Sequence, residues 1–138
     1  MIQEGLHALL AADTSVAAIV NGRIFEILAP DDRQLYPCLS YTLVGGSSEP
    51  TMGTSGVLRE RIEINALCLE PAAGKSPYTI AAYLRAAVIQ AVNGWQQNLS
   101  DGTRVLNTVL LNPGTDFCTE DRIFRCMVEF YVLYTLPN

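Results

Sequence analysis

The chain has 138 residues, 49% of them hydrophobic and 17% charged, with a mean hydropathy of +0.21. That is one domain of ordinary size, and its apolar content excludes intrinsic disorder. Nine basic against fourteen acidic residues leave a net charge of −5, which argues against a nucleic-acid binder held by phosphate contacts.

The opening Met1-Ile2-Gln3-Glu4-Gly5 carries an acid where a secretory signal would carry positive charge. The longest apolar runs, such as Ala8–Ala12, fall far short of the roughly 20 residues that span a bilayer, so no membrane contact is expected. Residues 2–12 predict a helix, because Leu6, Leu9 and Leu10, with Ile2 one turn earlier, form one apolar stripe. Asp13-Thr14 then supplies a stop and a fresh N-cap for a short helix over Val16–Val20, which Asn21-Gly22 ends. Arg23–Ile27 predicts a first strand, and Pro30–Arg33 is turn chemistry.

From Pro37 onward, Leu39, Tyr41 and Leu43 alternate with Ser40 and Thr42 as in a half-buried strand. Gly45–Gly56 holds four of the ten glycines and one large apolar side chain, Met52, and predicts a long mobile loop at a hairpin tip. Val57–Glu70 predicts the returning strand, with Ile62, Ile64, Ala66 and Cys68 on one side and Arg61, Glu63 and Asn65 on the other. Ser76-Pro77 starts the main helix, whose apolar positions run from Ile80 through Leu84, Val88 and Val92 to Trp95, with Asn93-Gly94 marking the end. A strand over Arg104–Leu111, a turn at Asn112-Pro113-Gly114 and a long strand over Ile123–Tyr134 follow. In the last, Phe124, Cys126, Val128, Phe130 and Val132 make the core face. The order α-α-β-β-β-α-β-β predicts a single α+β domain over residues 1–138. Its sheet is mainly antiparallel, of four to five strands with a long hairpin, and its helices pack on one face.

Chemical signatures are sparse. Cys38, Cys68, Cys118 and Cys126 form no CxxC pair and only one histidine could join them, so reduced thiols in a cytoplasm are expected and a zinc site is not. His7 has no nucleophile or carboxylate near it in sequence. Gly45-Gly46-Ser47-Ser48 feeds a strand and not a helix N-terminus, so it is no phosphate cradle. Asp31-Asp32 lacks further oxygen ligands at EF-hand spacing, and Ser55-Gly56 is no nucleophile elbow. Glu60 and Glu63 fall on opposite strand faces and cannot work as an acid–base pair. No catalytic residue, cofactor or metal is expected.

Two features exceed the needs of a core. One is the outward face of the third and last strands, where Arg59, Arg61, Glu63, Asn65, Arg125, Glu129 and Tyr131 share a side with Leu67, Leu69, Met127 and Leu133. That face reads either as a solvated sheet surface, with charges paired across the ladder if the strands are neighbours, or as a subunit interface. The other is the twelve-residue loop, which suits a segment that orders against a partner.

Several stretches, in this order, carry a resemblance. They are the apolar opening helix with Asp13, the run Val16–Phe25, Pro37–Tyr41, Arg59-Glu60-Arg61-Ile62-Glu63-Ile64-Asn65, Leu84–Val88, Asp116-Phe117, and Arg122–Arg125 leading into Glu129–Val132. Together they resemble the tail terminator (tail completion, or tail-to-head joining) proteins of long-tailed bacteriophages and prophages. The segment Cys118–Asp121 departs from that pattern in being more acidic, which bears on its contacts and not on the fold.

The resemblance implies a structural virion protein at the tail–neck junction, assembled in the host cytoplasm. It would form a homo-hexameric ring on the tail tube, stop tube polymerisation and dock the head connector, while DNA passes through the lumen without specific binding. The expected contact residues are Gly45, Gly46, Glu49, Met52, Gly53 and Gly56 in the loop, with Glu49 and Met52 as anchors, and Arg59, Arg61 and Arg125 between subunits. The competing readings are a head-completion or connector-adaptor neck protein and, from another class, a small dimeric α+β enzyme or ligand-binding domain.

Overall fold

The computed structural model describes residues 2–28, 32–50, 56–69, 76–118 and 122–137. Helix α1 (Ile2–Ala12) buries Ile2, Leu6 and Leu10 along one stripe. Helix α2 (Thr14–Val20) is capped by Asp13, whose carboxylate accepts the Val16 N–H at 3.0 Å. Asn21 closes it in the left-handed conformation (φ 48°, ψ 48°), where the carbonyls of the last turn find donors. Arg23 then donates to the carbonyls of Ile19 (3.2 Å) and Pro37 (3.0 Å), tying the end of α2 to the approach of the second strand. A cation at that helix end also complements the dipole.

Strands β1 (Ile24–Glu26) and β2 (Cys38–Pro50) are linked through a 3-10 turn over Arg33–Leu35, where the Asp32 side chain accepts the Gln34 N–H at 2.9 Å. Strand β3 (Val57–Leu69), helix α3 (Pro77–Val92), and strands β4 (Gln97–Asn98), β5 (Arg104–Cys118) and β6 (Ile123–Thr135) follow. One sheet holds all six strands in the order β1-β2-β3-β6-β5-β4. The three helices bury Leu6, Leu10, Val16, Val20, Leu84, Val88 and Val92 in the same cluster as Leu39, Ile62, Ile64, Val128, Phe130 and Val132 of the sheet. Each fully buried side chain of that size contributes roughly 1.5–3 kcal/mol, which is why the period-2 pattern of β3 and β6 fixes the inward face.

The α+β class and the helix-covered face are as expected, and four details are not. The sheet has a sixth strand, Gln97–Asn98, too short and polar to show any alternation. The β1–β2 pair is parallel (Ile24↔Leu39 to Glu26↔Tyr41), because a 3-10 turn and not a hairpin joins them. The expected turn at Asn112-Pro113-Gly114 lies inside β5, which runs on to Cys118. There, the Asn112 side chain accepts the Gly114 N–H at 2.9 Å and the register against β6 jumps from Asn112↔Glu129 to Thr115↔Met127. Turn chemistry in mid-strand makes a bulge, and the proline is tolerated because bulges release ladder hydrogen bonds.

The expected loop over 45–56 also begins later. Strand β2 continues to Pro50, with Glu49↔Arg59 and Pro50↔Leu58 paired after a register shift beyond Val44. Gly56 precedes β3 at φ +72°, and residues 51–55 lie outside the described residues.

Candidate assembly interface

Strands β3 and β6 pair without interruption from Val57↔Thr135 to Leu69↔Ile123. This register puts the polar residues of the two strands side by side on the face away from the helices. The Arg59 guanidinium carbon lies 4.6 Å from the centroid of the Tyr131 ring, a cation–π contact. Arg61 Nε lies 3.3 Å from Glu129 Oε2, the cross-ladder pair expected of neighbouring strands. Glu63 stands directly opposite Glu129, an arrangement that costs free energy when left uncompensated. Each carboxylate has its own partner, since Asn65 Nδ2 donates to Glu63 Oε1 at 3.2 Å while Arg61 serves Glu129. With the Arg61 side chain 43% exposed, such a pair contributes only about 0–1 kcal/mol to stability. Its order suits recognition better than folding.

Of the residues expected to make contacts, the structure gathers Arg59 and Arg61, with Glu49 opposite Arg59 across the β2–β3 ladder. Gly45 and Gly46 lie in β2 where its register shifts, Gly56 leads into β3, and Met52 and Gly53 fall outside the described residues. Arg125 sits at the far end of the face, opposite Leu67 on β3 and Phe117 on β5. Leu67 and Leu69 were expected to be presented on this face, but they are 0% and 9% exposed, so the chain itself covers them. The apolar share of the open surface comes from Met127 and Leu133, both partly exposed as expected, and from Val109, 45% exposed and in register with Tyr131. Sequence reasoning missed Val109 because it sits in an ordinary alternating strand, and only the register shows its neighbour.

A second polar group joins side chains of α3 to Asp116 on β5. The Tyr78 hydroxyl donates to Asp116 Oδ2 at 2.7 Å, and Arg85 Nη1 bonds Asp116 Oδ1. The Tyr78 hydroxyl holds the Asp116 carboxyl below its ordinary range against a desolvation cost, with Cys126 and Arg85 adding to the effect. A carboxylate with a depressed pKa stabilises the fold above its unfolded value near pH 4 and loses that contribution as pH falls through the folded value. Acid unfolding followed by circular dichroism between pH 5 and 2 is therefore expected to flatten in Asp116→Asn. An acid limb identical to the wild type would show that this clasp contributes nothing.

The remaining candidates for chemistry are scattered. Burial pushes the Cys38 thiol up to about 12 and the Cys126 thiol to about 11, so both stay protonated. His7 is half-buried, with its ring edge-on to Tyr41 at a centroid distance of 6.1 Å. Glu60 lies on the helix-facing side of β3, where its Oε2 accepts the Tyr134 hydroxyl at 3.3 Å, on the other side of the strand from Glu63. Among the described residues no group of three His, Cys, Asp or Glu side chains is placed to hold a metal ion. No helix among them is long and apolar enough to cross a membrane.

These observations define an α+β domain with one sealed face and one open face of ordered charges and aromatics. A family model described as Tail completion protein gp17 matches residues 4–135, and the chain belongs to that family. It is thus a structural protein of the phage tail, from a family of virion proteins and not from a known enzyme family. No curated protein matches the chain. In the solved structure "Virion of native gene transfer agent (GTA) particle", one chain is similar in fold at a TM-score of 0.64 and 18% identity. The match covers 94% of this chain and 90% of that one.

Proposed function

We propose that this protein forms a six-membered ring on the end of the tail tube, stops further tube polymerisation and offers the surface on which the head connector docks. The family match over residues 4–135 carries this reading. The physical design supports it. The β3–β6 face holds its charges in fixed pairs beside partly exposed apolar side chains, the mixture that subunit interfaces use. A ring also needs head-to-tail contacts, and a sheet with one sealed face leaves its edges and the other face to make them. In this reading Gly45, Gly46, Glu49, Met52, Gly53 and Gly56 meet the tube or a neighbouring subunit. Arg59, Arg61 and Arg125 join subunits at the tail–neck junction, and DNA passes a lumen that does not grip it. The net charge of −5 suits a conduit better than a basic surface would.

Tube protein polymerised with and without this chain tests the proposal, with lengths read by negative-stain imaging. Short tubes bearing a ring at one end are expected, and unchanged lengths would overturn it. Deleting Ser47–Ser55 is expected to leave a folded subunit that no longer caps. A deletion variant that still caps would remove the segment from the mechanism.

A further inference from the structure

Ile27 follows β1 at φ +70°, and the Leu28 N–H donates to the Glu26 carbonyl at 2.8 Å, so Ile27 is the centre of a γ-turn of the strained hand. A β-branched residue at positive φ is rare and costly. Folding gains little in return, because Ile27 is 65% and Leu28 76% exposed. The Ile27 N–H still pairs with the Tyr41 carbonyl at 2.8 Å, so the turn lifts two aliphatic side chains off the last rung of the β1–β2 ladder. On the opposite edge of the sheet, β4 pairs only with Arg104 and Val105, and beyond it Val109 and Leu111 of β5 are 45% and 42% exposed.

We infer that Ile27 and Leu28 of one copy pack against Val109 and Leu111 of the next, and that this is the contact that propagates around the ring; the inference rests on the ring reading. Three observations select the occupant. The two aliphatic pairs lie on opposite sides of one sheet, about 19 Å apart at four strand spacings, so a contact between them leaves each copy one free hook and one free strip. Such a contact is head-to-tail and can close. Charge favours the same choice. Exposed Glu26 and Asp32 flank the hook and exposed Arg104 lies on β5, whereas hook against hook would bring four acids together. Finally, the edge strands β1 and β4 hold only three and two residues and β5 is bulged beyond Val109, so little regular main chain is offered for pairing and side chains carry the joint.

The test is native mass spectrometry of wild type, Leu28→Asp and Leu111→Asp, singly and as an equal mixture. The wild type is expected as a ring. Each variant is expected to associate roughly thirtyfold more weakly or worse, and so to run as a monomer. The mixture is expected to give a heterodimer and nothing larger, because each variant keeps the half that the other has lost. Ile27→Gly is the folding control. Glycine accepts that φ, so this variant should melt no lower than wild type yet fail to assemble. Variants that keep the wild-type ring would overturn the contact and leave the ring reading standing. A wild type that stays monomeric overturns the contact as well, and if it also fails to limit tube length the ring reading falls with it.

Discussion

Replacing Gly114 with alanine is expected to lower the stability of the fold by about 3 kcal/mol, from backbone strain and a steric overlap acting together. Gly114 sits in the β5 bulge at φ +135°, a conformation that residues with a side chain rarely adopt. A Cβ there would overlap the Met127 carbonyl oxygen of β6 and come within 2.7 Å of Arg85 Nη1. The first contact is with backbone and cannot swing aside. The second disturbs the guanidinium that bonds Asp116. Gly94→Ala is the control, because Gly94 also has positive φ (+80°) but open space around its Cβ, so only the strain of about 1 kcal/mol remains. Urea unfolding of both variants checks this through the midpoint at constant slope. Equal losses would show that the close approach to Met127 does not matter.

Phe130→Ala is expected to cost 3–5 kcal/mol, a large part of the roughly 5–15 kcal/mol that holds a domain together. Phe130 is fully buried on the helix-facing side, opposite Ile62 on β3 and Leu110 on β5, so its ring fills the middle of the sheet. Truncation leaves a cavity that two ladders and the overlying helices cannot all close. For a chain of this length the melting temperature should fall by about 10–15 °C. A shift under about 3 °C in a thermal melt would mean that the core repacks freely around position 130.

Much of this fold was legible because the signals are local. Asp13 and Asn21 bound α2 through capping chemistry, Pro77 opens α3 although the Ser76 side chain makes no cap bond, and the alternation of Ile62–Cys68 and Cys126–Val132 assigns the inward face. What escaped depends on partners distant in sequence. Asn112-Pro113-Gly114 has the composition of a turn, and only pairing with β6 turns it into a bulge. Leu67 and Leu69 alternate with core residues and so read as outward, yet the folded chain covers them. The candidate face was half visible. Arg59 and Arg61 follow from strand periodicity, and Arg61–Glu129 from assuming that β3 and β6 are neighbours. The Tyr78–Asp116–Arg85 clasp joins residues 31 and 38 positions apart, which no window of sequence brings together. Ile27 and Leu28 look like the end of a strand, and a positive φ leaves no mark on composition.

The uneven quality of the strand ladders has a mechanical consequence. β3 and β6 hold thirteen consecutive rungs, whereas both pairs flanking them, β2–β3 and β5–β6, lose register at least once. Load applied along the strands is shared by all the central hydrogen bonds at once, so the middle of the sheet is stiff in shear. The bulged margins bend and twist more readily. A domain built this way is a rigid plank with compliant sides, and in the proposed ring it would match small differences in tube diameter by flexing at its edges while the packed layer beneath the helices stays unchanged.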